Sequence, residues 1–186
     1  MVRPSVNLSD LPCGWFNPGD IDWYREIYQQ IPECGVTAEI GCHRGRSICS
    51  VADIIRDRKL LAYCVDKWEP WGFDSSPHVL CSFLDAVGKA GLELSWHVSV
   101  QRGASLAVAQ YLDPECLDFA FIDADHHYAS VKSDIEAWEP KVKPGGWIGG
   151  HDYFNLECPD VMRAVDERYG NRVLTRMDSL IWLVQL

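Results

Sequence analysis

Apolar positions along the chain switch between a period of about 3.6 residues and short continuous runs, the marks of helices and of buried strands. Asn17 and Pro18 open the first helical pattern, with Asn17 as N-cap and Pro18 at the first helical position. Ile21, Tyr24, Tyr28 and Ile31 then share a face. Residues 36–40 (VTAEI) predict a short strand. Residues 47–58 predict a helix, with Ile48, Val51, Ala52 and Ile55 at i, i+3, i+4 and i+7. Residues 60–66 (LLAYCVD) form a nearly continuous apolar run, as expected of a strand covered on both faces.

Ser76-Pro77 starts another helical pattern, carried by Leu80, Phe83, Leu84 and Val87, with Gly91 just past its end. Residues 94–100 read as a strand, 105–112 as a short helix and 117–122 (LDFAFI) as a strand. A helix over 128–138 stops before Pro140, and a short strand over 147–150 follows a turn at Pro144-Gly145-Gly146. The last helix spans 159–169 and is closed by Gly170. Strands over 172–177 and 180–186 are joined by a tight Asp178-Ser179 turn. Strand-helix alternation of this kind predicts an α/β fold, a doubly wound and mostly parallel seven-stranded sheet, ending in an antiparallel hairpin near one edge.

A chain of 186 residues suits one core, so residues 1–186 are expected to form a single domain, with 1–32 as an N-terminal extension and helix. Hydrophobic residues at 47% and charged residues at 24% are ordinary globular composition. Lys+Arg of 17 against Asp+Glu of 27 gives a formal charge of −10 and no basic footprint for nucleic acid or an anionic membrane. No apolar run approaches the ~18 residues that a membrane span needs. The first ten residues have no apolar signal core, so a cytoplasmic protein is expected. Its eight cysteines then read as reduced thiols; none sits in a C-x-x-C pair, and Cys49 and Cys64 fall on core patterns.

In open sheets of this type the ligand lies beyond the C-terminal ends of the strands, so the segments after each strand carry the candidate chemistry. After the first comes Glu39-Ile40-Gly41-Cys42-His43-Arg44-Gly45-Arg46-Ser47, where two glycines let backbone approach a ligand closely. After the second comes Asp66, which can accept hydrogen bonds from both hydroxyls of a ribose. After the third, Gly103-Ala104-Ser105 leaves room for a flat ring, and Ser105 can cap the next helix. Asp123-Ala124-Asp125-His126-His127 follows the fourth strand and His151-Asp152-Tyr153 the fifth. Both clusters can move protons or bind a metal, and they would lie side by side if the two strands are neighbours. The aromatic segment Trp68–Phe73 is a candidate pocket lining, whereas Trp138 and Trp182 fit core faces.

Taken together, these residues resemble the class I S-adenosylmethionine-dependent methyltransferases. Among these, the short O-methyltransferases, including the catechol and caffeoyl-CoA enzymes, are the nearer match. Small bacterial members with an IDADHxY segment and a later GHDY are more similar still. The resemblance covers residues 15 to 186 and implies a Rossmann-like sheet. It implies that Glu39, Gly41, Gly45 and Ser47 hold the methionine part of the cofactor, Asp66 its ribose, and Ala104 and Ser105 border its adenine. Asp123 faces the methionine end and, in metal-dependent members, a divalent cation. The general base of the catechol enzymes, a lysine three residues after this acid, is here His126. Their Asp-Asn metal pair is here His151-Asp152. Thus His126, His151 and Asp152 are the catalytic candidates, and Asp123, His151 and Asp152 the candidate metal ligands.

The expected reaction is methyl transfer to a hydroxyl of a small molecule such as a sugar or a phenol. The acceptor pocket is left open or is completed by a second subunit in a homodimer. Three rivals remain. Asp123-x-Asp125 resembles the metal-binding pair of nucleotide-sugar glycosyltransferases. A nicotinamide dehydrogenase is weakened by the missing middle glycine of G-x-G-x-x-G. A non-catalytic module could keep the cofactor fold.

Overall fold

The structure, a computed structural model, describes residues 7–70, 76 and 78–186. Pro77, expected at a helix start, and Trp71 to Phe73, expected near a pocket, lie outside the described residues.

Helix α1 (Pro18–Tyr28) begins where the sequence places it. Asn17 accepts the Asp20 N–H at 3.0 Å and Asp20 accepts the Asn17 N–H at 2.8 Å, a reciprocal capping box. Strand β1 (Val36–Ile40) follows. The helix expected over 47–58 is two helices, α2 (Arg46–Ser50) and α3 (Ala52–Arg58), broken at Val51. Ser50 Oγ takes the Ser47 carbonyl at 2.6 Å, the acceptor that an unbroken ladder would offer to the Val51 N–H. The Arg25 guanidinium, paired with Asp53 at 2.7 Å, also donates to the Ser50 carbonyl.

Strand β2 (Leu61–Asp66) and helix α4 (Val79–Lys89) come next. Strand β3 is Val98–Arg102, four residues later than the start expected at Leu94. Residues 93–97 instead form a turn in which the Trp96 and His97 N–H groups both bond to the Glu93 carbonyl, leaving Leu94 and Trp96 exposed. Helix α5 (Ser105–Ala109), strand β4 (Leu117–Ile122) and helix α6 (Tyr128–Trp138) match the pattern closely.

Strand β5 (Val142–Gly150) is longer than expected, because the chain stays extended through Pro144-Gly145-Gly146 instead of turning there. The register against β4 shifts between Leu117 and Phe119, and this irregularity absorbs the extra residues. Helix α7 (Pro159–Tyr169) ends at Gly170 as expected. The last strands are short, β6 (Leu174–Thr175) and β7 (Trp182–Gln185), and the tight turn expected at Asp178-Ser179 falls one residue earlier, at Met177-Asp178, where the Ser179 N–H donates to the Arg176 carbonyl at 3.3 Å. Ser179 Oγ and the Leu180 N–H are drawn instead to Asp20 Oδ1, at 2.7 and 2.8 Å.

The sheet order is β3-β2-β1-β4-β5-β7-β6, parallel from β1 to β5, with β7 antiparallel to both its neighbours. Phe119 and Phe121 of β4 face the layer of α1 to α4; Ala120 and Ile122 face α5, α6 and α7. Trp138 and Trp182 are buried in that second layer. Strand order reverses between β1 and β4, which places a ligand crevice beyond Ile40 and Ile122.

Candidate active site

Beyond Ile40 the chain turns at Gly41, φ +95°, so close to the end of β4 that a Cβ there would stand 1.8 Å from the Asp123 carbonyl oxygen. The Asp123 N–H donates to the Ile40 carbonyl at 2.8 Å, so the glycine turn and the first acid of the site are one assembly. Gly45 forms the N-cap of α2.

Glu39 is buried behind this turn. It accepts the Tyr24 hydroxyl at 2.9 Å and the hydroxyl of Ser47. Burial pushes its carboxyl up to about 7, against those two hydrogen bonds. Ser47 thus stands in front of Glu39.

Asp66 joins two loops. Its Oδ2 accepts the His43 N–H at 2.8 Å and its Oδ1 the Trp68 N–H at 2.6 Å. Trp68 Nε1 donates back to the His43 carbonyl at 2.8 Å. His43 and Trp68 both hold positive φ, +45° and +48°, a conformation that this double tether sustains. Each Asp66 oxygen keeps acceptor capacity for a ribose hydroxyl.

The expectation that Ser105 caps its helix is corrected. Ala104 holds the N-cap position without a side-chain bond. Ser105 Oγ donates to Asp134 at 2.5 Å and accepts from Trp138 Nε1 at 2.8 Å, so it braces α5 against α6.

Strands β4 and β5 are neighbours, with Ile122 opposite Gly150, and this brings Asp123, His126, His151 and Asp152 together. His126 Nε2 lies 3.1 Å from Asp152 Oδ2 and 3.8 Å from Asp123 Oδ1. These two carboxylates push the imidazole up to about 10, against partial burial. Its Nδ1 has no partner among the described residues, and about a third of the side chain is exposed.

His151 is placed differently from expectation. Its side chain is 2% exposed, its Nε2 lies 3.1 Å from Asp20 Oδ2, its Nδ1 lies 3.3 Å from Asp152 Oδ2, and its ring stacks on Phe16. It cannot reach an acceptor, so the base expected there is corrected to a residue that positions Asp152. Burial pulls its pKa down, but Asp152 and Asp20 outweigh burial and raise it to about 10. Asp152 is held well below the carboxylate range, because His126 and His151 overcome the cost of burying it.

Ligand atoms of Asp123, His151 and Asp152 lie within 4.8 Å of one another. Both nitrogens of His151 are nevertheless engaged, Nε2 against Asp20 and Nδ1 against Asp152, inside the buried layer. This set does not fit a resident cation. Asp125 is not paired with Asp123 either. It accepts the His127 N–H and Ser130 Oγ, both at 2.9 Å, in the first turn of α6, which removes the basis for a D-x-D metal pair.

Sequence reasoning missed Asp20, Phe16 and Cys158. The sequence reading placed Asn17 as N-cap, and nothing in it pointed to Asp20 or to its contact with a histidine 131 positions away. Among the described residues no helix is long and apolar enough to cross a membrane.

Residues 38–153, more than half of the chain, match a protein family described as a methyltransferase domain. The chain belongs to this methyltransferase family. The match contains the glycine turn, Asp66 and the His126/Asp152 pair. Methyltransferases of the class I type use S-adenosylmethionine, and the seven-stranded order seen here is that of their Rossmann-like fold.

Solved structures share the fold at low identity. The O-methyltransferase from Bacillus cereus, in complex with SAH, is 20% identical with a TM-score of 0.68, over 96% of this chain and 86% of that one. CalS11, a TDP-rhamnose 3'-O-methyltransferase of calicheamicin biosynthesis, is 17% identical with a TM-score of 0.66, over 91% and 81%. A protein from Corynebacterium glutamicum is 13% identical with a TM-score of 0.70, over 94% and 82%. No curated protein sequence matches the chain.

Proposed function

We propose that this methyltransferase methylates a hydroxyl of a small molecule, with His126 as the base. The observation that carries this reading is the His126–Asp152 pair at the ends of β4 and β5, beside the glycine turn. S-adenosylmethionine supplies an activated methyl on a sulfonium. The close backbone at Gly41, the spare acceptor capacity of Asp66 and the carboxyl groups of Asp123 and Glu39 fit such a cation. Gly41, Gly45 and Ser47 cradle its methionine end in this reading. Asp66 takes the ribose, and Ala104 and Ser105 lie beside the adenine.

The acceptor oxygen attacks the methyl carbon in line, the carbon–sulfur bond breaks, and its electron pair stays on sulfur. The hydroxyl proton goes to His126. Asp152 and Asp123 hold the Nε2–H, so Nδ1 is the basic atom, and His151 with Asp20 fixes Asp152 from behind. Placement of the two reactants supplies much of the rate. The acidic chain favours a small acceptor over nucleic acid. Eight free thiols, three of them exposed, fit a reducing cytoplasm.

A screen of phenolic and sugar hydroxyls with labelled cofactor tests the reading. Turnover should rise with pH towards about 10, the value at which His126 loses its proton. His126→Ala should lower turnover by roughly 10²–10⁴-fold while leaving cofactor affinity unchanged. A chelator should not lower the rate. Equal turnover in His126→Ala would remove the base assignment.

A further inference from the structure

The loop after β5 leaves the site at Asp152 and returns to it at Cys158. Asn155 Nδ2 donates to Asp152 Oδ1 at 2.6 Å. The Cys158 N–H then donates to the Asn155 carbonyl at 3.0 Å, and the Glu157 N–H to Asn155 Oδ1 at 3.0 Å. This small loop fixes Cys158, at the N-cap position of α7, against the pair assigned to proton transfer. One ligand atom each from His126, Asp152 and Cys158 lies within 4.8 Å of the other two. The thiol has no hydrogen-bond partner among the described residues.

An imidazole, a carboxylate and a thiol make a mixed nitrogen, oxygen and sulfur set. Magnesium and calcium, which take six or more oxygens, do not match it. Zinc, and cobalt in its place, bind such sets in four-coordinate geometry, with three protein ligands and one open position. Of the two clusters of metal-ligating side chains among the described residues, only this one can open without dismantling the buried His151 contacts. His126 is part-exposed with a free ring nitrogen, whereas both nitrogens of His151 are engaged against Asp20 and Asp152.

We propose that His126, Asp152 and Cys158 form a site for a zinc-class divalent cation, and that its occupancy shuts off methyl transfer. Binding displaces one proton from His126 and one from the Cys158 thiol to solvent, so the two positive charges of the ion replace them and charge balances. The occupied imidazole can no longer accept the proton of an acceptor hydroxyl. The inhibitory part rests on the assignment of His126 as base; the site itself does not.

Cobalt(II) is the probe. Added to the chelator-treated protein, one equivalent should give a near-ultraviolet thiolate-to-cobalt charge-transfer band and the intense visible bands of a four-coordinate ion. Cys158→Ser should lose the charge-transfer band and bind cobalt at least about tenfold more weakly. Stoichiometric zinc should inhibit methyl transfer by the native protein and spare Cys158→Ser, whose metal-free rate is unchanged. Absence of the charge-transfer band, or its persistence in Cys158→Ser, overturns the site. Zinc that binds through Cys158 without slowing the native enzyme overturns the inhibition. A protein that binds cobalt in this way but transfers no methyl group keeps the site and refutes the function instead.

Discussion

Glu39 shows how one buried side chain ties the site to solution conditions. It meets only neutral donors, the Tyr24 phenol and the Ser47 hydroxyl, with Tyr28, Cys42, Cys49, Cys64 and Asp123 as the further titratable groups near it. Burial has therefore raised its pKa to about 7, which means that much of it is protonated in the free protein at neutral pH. In the proposed function the ammonium and sulfonium of the cofactor sit beyond Ser47, favour the carboxylate and expel that proton. The sign follows from linkage: cofactor affinity should rise with pH up to about 7 and level off above it, by up to about tenfold per unit of binding-induced pKa shift. Calorimetry in buffers of different ionisation enthalpy would show the released proton below that pH. Glu39→Gln should bind more weakly and without the pH dependence. A native protein whose affinity is flat between pH 5.5 and about 8 would contradict the placement of Glu39 under the cofactor. Glu39 was legible as a candidate, because it lies near the end of a strand just before a glycine turn. Its protonation was not legible, because it comes from burial, to which segments distant in sequence such as α1, with Tyr24 15 positions earlier, contribute.

At the scale of the element, the strand–helix alternation was readable almost throughout, and the departures have local causes. A helix was read through Val51 because the apolar spacing continues, while a serine hydroxyl and an arginine on another helix decide the break. Pro144-Gly145-Gly146 carries a turn signature yet stays in β5, since pairing on both sides of the irregular stretch holds it extended. Two of the positive-φ glycines, Gly41 and Gly145, separate strain from contact. At Gly145, φ +80°, a Cβ would meet nothing within 4 Å; at Gly41 it would meet the carbonyl of Asp123. Gly145→Ala should therefore cost only about 1 kcal/mol, the backbone strain alone. Gly41→Ala should cost about 2–4 kcal/mol and displace Asp123. Urea unfolding of both variants checks the difference, and equal losses would mean that the Gly41 turn does not press on β4.

For the whole molecule the decisive residue is Asp20, because it joins segments at both ends of the chain. Its carboxylate is fully buried and accepts the Asn17 N–H, Ser179 Oγ and the Leu180 N–H, and it faces His151 Nε2. The N-terminal helix, the last connection and the end of β5 thus share one anion, and Phe16 seals it by stacking on His151. We expect residues 7–186 to unfold in one transition for this reason. Sequence periodicity could place each of these segments but not their meeting point, since the long-range partners of Asp20 lie 131 to 160 positions away. Burial opposes the charge of Asp20, but His151, the Asn17 N–H and Ser179 outweigh it and lower the pKa. The stability from this carboxylate is therefore present above the unfolded value near 4 and lost as pH falls through the lower folded value. Asp20→Asn keeps the shape but leaves His151 and at least one donor unsatisfied, and should cost about 3–5 kcal/mol at pH 7. The deficit should begin to shrink below about pH 4, where the unfolded carboxyl takes up its proton, and go on shrinking until the folded one does. Chemical denaturation of the two proteins at pH 7 and at about pH 3.5 measures both quantities. If Asp20→Asn unfolds at the same denaturant concentration as the native protein at pH 7, the buried anion is not what binds the two ends of the chain to the catalytic edge of the sheet.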